Sequence, residues 1–121
     1  MTVRDLTDSG IVTLVNEGTD GERLISGPYC CDLLSIAMGR APEGCAWVTV
    51  MGNINTLAVA SLTDAACVIL AEGAALDEAA LLKAAEQGIF VFQTEQPVFE
   101  TALLIWKLLK REEAQQPEQE T

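Results

Sequence analysis

The segment Ala46–Gly73, AWVTVMGNINTLAVASLTDAACVILAEG, sets two short apolar runs, Trp47–Met51 and Ala66–Ala71, on either side of a stretch with Ala, Val and Leu at helical spacing. Runs of this length, bounded by turn residues, read as buried strands, and the spacing between them reads as a helix. The unit is therefore strand, sharp turn, helix, strand. Its turn, Gly52-Asn53-Ile54-Asn55, is where a loop that grips a ligand through its backbone would sit.

The same alternation continues on both sides. At the amino end, Thr2 precedes Asp5 by three residues, a weak capping-box pattern for a short helix that stops at Gly10. Ile11–Val15 reads as a first strand, residues 16–21 as a turn, and Leu24–Cys30 as a second extended piece. Gly27-Pro28 places that piece at a sheet edge or bulge, because proline cannot donate to a ladder. Asp32 opens a helix over Leu33–Gly39. On the other side, Asp77 caps a helix closing at Gly88, with Leu76, Ala80, Leu81 and Ala84 on its apolar face. Ile89–Phe92 is a short apolar strand. Pro97 opens the last helix, which carries two adjacent apolar stripes, Phe99, Leu103 and Trp106 leading to Lys110, and Val98, Ala102, Ile105 and Leu109.

Strands apolar on both faces and separated by helices require a parallel sheet covered on both sides. With right-handed crossovers, the expected fold is three-layer α/β/α with a mostly parallel sheet of four to five strands. A single α/β domain over residues 1–111 is expected, followed by an acidic disordered tail over residues 112–121 in which Glu112, Glu113, Glu118 and Glu120 are solvated.

Composition excludes several functions. The 121 residues are half apolar, enough for one domain with its own core. A formal charge of −11, with seven basic residues scattered among eighteen acidic ones, argues against nucleic-acid binding. No apolar run spans a bilayer and no leader pattern opens the chain, so a cytoplasmic protein without membrane contact is expected. The absence of histidine removes Ser/His and Cys/His nucleophiles and His-ligated metals. Cys30, Cys31, Cys45 and Cys67 contain no CxxC, and Cys45 and Cys67 belong to strand-like apolar runs, so the thiols read as structural and no metal or cofactor is expected.

Ligands of open parallel sheets bind at the carboxyl ends of the strands, near a switch in strand order. The residues placed there are Asp32, Gly52, Asn53, Asn55, Glu72, Gly73, Thr94 and Glu95. Free N–H groups at the helix starts favour an anion. The carboxylates oppose one, since two like charges ~4 Å apart repel by about 4 kcal/mol at an effective dielectric of 20. A plainer reading has Asn53, Asn55, Asp77 and Thr94 capping helices and Glu72 and Glu95 solvated. No GxGxxG or GxxxxGK[ST] loop is present, and nothing stands beside the carboxylates as nucleophile or base, so no catalytic residue is assigned.

The residues VMGNINTLAVASLTDAACVILAEG (50–73), EQGIFVFQTEQPVFETALLI (86–105) and ISGPYCCDLLSIAMG (25–39) together resemble the DRTGG domain family over nearly the whole chain. The family's Asp-Arg falls on Asn53-Ile54, and its Thr-Gly-Gly on Ala71-Glu72-Gly73, so most of the eponymous polar residues are replaced. The resemblance implies a fold like the N-terminal domain of HPr kinase/phosphorylase and the Mur ligases. It also implies a role like that of the stand-alone members, which are encoded beside iron-only hydrogenase genes. The kinase label given to some relatives does not carry over, because the phosphate-binding loop belongs to HPr kinase's other domain. The expected function is a non-catalytic regulatory or protein-interaction domain, forming a homodimer. The alternatives are a sensor of an adenine nucleotide-like small molecule at the Gly52–Asn55 and Glu72–Gly73 loops, and an enzyme or metal carrier built on Cys30, Cys31 or Cys45.

Overall fold

A computed structural model describes residues 1–115. In chain order its elements are α1 (Val3–Ser9), β1 (Thr13–Asn16), β2 (Gly27–Cys30), α2 (Leu34–Arg40), β3 (Cys45–Thr49), α3 (Ile54–Thr63), β4 (Cys67–Leu70), α4 (Glu78–Gln87), β5 (Val91–Gln93) and α5 (Val98–Ala114). The strands form one sheet in the order β1-β5-β4-β3-β2. Neighbours from β2 to β5 are parallel, and β1 runs antiparallel to β5. The described chain is thus mixed α/β with a mostly parallel sheet.

Local chemistry sets most of the boundaries. The Thr2 hydroxyl accepts from the Asp5 N–H at 3.1 Å and the Asp5 carboxylate accepts from the Thr2 N–H at 2.9 Å, which completes the capping box of α1. Asn53 and Asp77 accept from the first-turn amides of α3 and α4, and left-handed Asp64 and Gly88 end those helices. Asp32 does not cap α2. Leu33 holds the N-cap position without a side-chain bond, while Asp32 Oδ1 accepts from Thr49 Oγ1 at 2.6 Å and from the Val50 N–H at 2.9 Å. Because β2 and β3 are parallel neighbours, their carboxyl ends adjoin, and two donors there draw the carboxylate away from its own helix.

Two strands are shorter than their apolar patterns. The first begins at Thr13 instead of Ile11, because the turn after left-handed Gly10 is prolonged by Ser9 Oγ accepting from the Ile11 N–H. The second begins at Gly27, with Leu24 only bridging Thr2. Pro28 does lie on an edge strand, where its missing N–H costs no ladder bond within the sheet interior. Glu112 and Glu113, expected in the tail, extend α5, and Glu112 pairs with the Met1 α-amino group at 2.6 Å. Glu118 and Glu120 lie outside the described residues.

All residues of β3 and β4 are buried, and alternate ones turn to different clusters. Ala46, Val48, Cys67, Ile69 and Phe92 pack with Val3 and Leu6 of α1 and Ile105 of α5. Cys45, Trp47, Val68, Leu70 and Val91 pack with Ala37 of α2, Leu57, Val59 and Ala60 of α3, and Ala80 and Ala84 of α4. Leu81, expected on the buried side of α4, is exposed instead. Small Ala80 and Ala84 let the helix approach closely and leave the larger side chain outside.

Leu57 and Leu70 are fully buried in the second cluster. Leu57→Ala and Leu70→Ala each lower unfolding free energy by roughly 2–5 kcal/mol, measured by urea denaturation. Wild-type-like midpoints in both would show that this cluster is not the core.

Candidate functional site

The eight residues expected at the strand carboxyl ends do lie there, but in a row and not around a crevice. In sheet order they run from Asp32 after β2, through Gly52, Asn53 and Asn55 after β3 and Glu72 and Gly73 after β4, to Thr94 and Glu95 after β5. The four parallel strands keep sequence order without reversal, so no crevice opens between diverging crossovers. With strands ~4.8 Å apart, Asp32 and Glu72 stand on loops separated by about 10 Å.

At three helix starts, side chains of the protein itself take some of the first-turn donors. Asn53 Oδ1 accepts from the Asn55 N–H at 3.0 Å and the Thr56 N–H at 3.2 Å. Asp77 Oδ1 accepts from the Ala80 N–H at 2.8 Å. Glu72 Oε2 accepts from the Val98 N–H at 3.0 Å, so this exposed carboxylate caps α5 from another loop. Glu72 and Gly73 both adopt left-handed backbone, a pairing that can hold an anion between successive N–H groups. Here those N–H groups donate to the carbonyls of Gln96 at 2.9 Å and Thr94 at 3.0 Å. The Glu72 and Gly73 amides thus already have internal acceptors.

Gly52 has a similar explanation. A Cβ added there would collide with the Ala75 carbonyl oxygen, and the Gly52 carbonyl accepts from the Asp77 N–H at 3.0 Å. The glycine admits the chain's own backbone, where the sequence suggested a ligand. Among the described residues the Asn55 side chain has no hydrogen-bond partner. The Thr94 hydroxyl accepts from the Gln96 N–H at 3.2 Å within its own turn and caps no helix. One loose end remains among the described residues. Thr56 Oγ1, in the first turn of α3, is buried without a partner.

Two surface features escaped the sequence. A cavity of about 200 Å³ opens at the opposite, amino ends of the strands, lined by Thr19, Arg23, Ser61, Asp64 and Gln87 among others. Arg23 straddles Asp64 there with bonds of 3.1 and 3.0 Å, raising its own pKa and lowering that of Asp64 through the shared hydrogen bonds. Its charge is thereby neutralised. The residues lie 41 positions apart, so no local spacing announces the pair. The second feature is an apolar groove of about 270 Å³ between β2 and α5, lined by Pro28, Cys30, Phe99, Ala102, Leu103 and Trp106.

The cysteines do not converge, and among the described residues no three His, Cys, Asp or Glu groups are placed to hold a metal. Burial pushes the Cys45 thiol up to about 11 and the Cys67 thiol further in the same direction. Cys30, on the surface, is also raised, by partial desolvation and then by the Asp32 charge. No helix among the described residues is long and apolar enough to cross a membrane. No protein-family model matches this chain, and no curated protein matches it.

Gly52→Ala lowers stability by about 1–3 kcal/mol through the clash with Ala75. Asn55→Ala changes it by less than about 0.5 kcal/mol, with both read from urea midpoints. In thiol titration at pH 8, Cys45 and Cys67 stay unmodified until denaturant is added. Because their folded pKa values are raised, the stability they contribute is complete below an unfolded value of about 8.5 and is lost as pH rises toward 11. Melting temperature therefore falls across that window, and less steeply in Cys45→Ala.

Proposed function

We propose that this chain is a non-catalytic regulatory or protein-interaction domain of DRTGG type, with the three-layer arrangement of the HPr kinase N-terminal domain. Its link to anaerobic hydrogenase metabolism rests on the same resemblance, and its place in the cytoplasm on the apolar pattern of the sequence. The observation that carries the reading is the use of the donors at the strand ends. Asn53, Asp77 and Glu72 cap three helix starts, and the Glu72–Gly73 amides are bonded to the next loop. What this surface offers instead is the apolar groove on the other side of β2, the feature of a surface that binds protein.

A second reading, a sensor of an adenine nucleotide-like ligand, has one observation in its favour, the unpartnered Thr56 hydroxyl beside Asn53. A thermal-shift titration with AMP, ADP and ATP, with and without Mg²⁺, separates the two. The interaction reading expects no saturable shift for any of them. A saturable shift that disappears in both Asn53→Ala and Glu72→Ala would replace it with the sensor.

A further inference from the structure

The two apolar stripes of α5 have different fates. Val98, Ala102, Ile105 and Leu109 pack into the core, while Phe99 and Trp106 stand 69% and 49% exposed. With Leu103 between them, these residues recur at intervals of four and three, the spacing at which one helix presents a ridge to another. Within the chain these two aromatics on one helical face are only partly covered, Trp106 with Lys110 Nζ standing 5.4 Å from its ring centroid.

The charges beside this stripe identify what covers it. Glu100 and Lys107 are seven residues apart, so at 100° per residue they fall on the same flank of the ridge, about two turns from each other. Both are exposed, and neither has an ion-pair partner among the described residues. The opposite flank is closed by Ala102 and Leu109, which face the core. If two such helices pack antiparallel about a two-fold axis at Leu103, each flank meets its own copy. Glu100 of one chain then faces Lys107 of the other, twice, while Phe99 meets Trp106. A parallel pair would bring unlike flanks together and is blocked by the core side. Pro28, on the open strand beside the groove, removes one donor that sheet-to-sheet pairing across this edge would need.

We propose that the groove between β2 and α5 is the surface through which this chain binds a second copy of itself, with the two α5 helices antiparallel about Leu103. This rests on the interaction reading and names its partner. The interface is isologous, as a two-fold contact requires, and the Glu100–Lys107 pairs set the direction of packing. Each copy carries a net charge of −11, but at 0.15 M salt repulsion beyond about 8 Å is screened and local pairing dominates.

Sedimentation of the full chain from 1 to several hundred micromolar at 150 mM NaCl tests this. A reversible dimer is expected, dissociated by Phe99→Ala and by Trp106→Ala. Both residues are exposed, so circular dichroism melts should show the fold retained. Glu100→Lys and Lys107→Glu should each raise the dissociation constant roughly tenfold, since two symmetric pairs become repulsive together. The double variant Glu100→Lys/Lys107→Glu restores opposite charges and should return to within about threefold of wild type. A monomer at all concentrations, a dimer indifferent to the aromatic variants, or a double variant weaker than either single one overturns the proposal. The nucleotide titration above tests the interaction reading separately. A monomer that binds no nucleotide overturns this interface alone and leaves a different protein as the partner.

Discussion

The complete burial of β3 and β4 is the constraint from which the rest follows. Strands that lose water on both sides need partners for every side chain, and here alternate residues find them in separate helix sets: Ala46, Val48, Cys67 and Ile69 with α1 and α5, Cys45, Trp47, Val68 and Leu70 with α2, α3 and α4. Polar atoms caught there must be satisfied in place. Trp47 Nε1 donates to the Cys31 carbonyl at 3.0 Å, and Thr49 Oγ1 donates to Asp32. The two bonds stitch the end of β2 to β3, and they explain why Asp32 is not available to its own helix.

The same economy of polar groups governs the carboxyl-end loops. A helix start needs an acceptor, and a water-filled mouth would leave that place for an anion. In this chain side chains take it first. Glu72 reaching across to Val98, and the Gly52 carbonyl receiving Asp77, join loops that a ligand would otherwise have to bridge. The result is a rim in which the starts of α3, α4 and α5 are each capped by the chain's own side chains. The exposed apolar groove lies elsewhere, between β2 and the helix that folds back along it.

Much of this was legible in the residues. Thr2 with Asp5, Asp77 with Gly88, and Pro28 on an edge were all readable, because caps, left-handed glycines and the missing proline donor act within a few residues of themselves. The candidate site was legible in position, and its chemistry only where the bonds are local. Asn53 and Glu72 stand at the predicted strand ends; that Asn53 caps α3 was one of the readings the residues offered, but no local pattern shows that the Glu72 carboxylate is spent on α5, since that bond joins positions 26 residues apart. Gly52 signals a close backbone approach, and nothing local says whether a ligand or Ala75 makes it.

By itself, then, the sequence determined the order and type of the elements and the mostly parallel sheet, because hydrophobic period and capping are short-range properties. Only the tertiary structure decided which α5 stripe is buried, that Asp32 serves β3, and that Arg23 meets Asp64 at the far end of the sheet. On α5 the two stripes are almost equally apolar, so hydrophobicity alone could not choose between them. Ala102 and Ile105 turn toward the core, while Phe99 and Trp106 are left largely outside it.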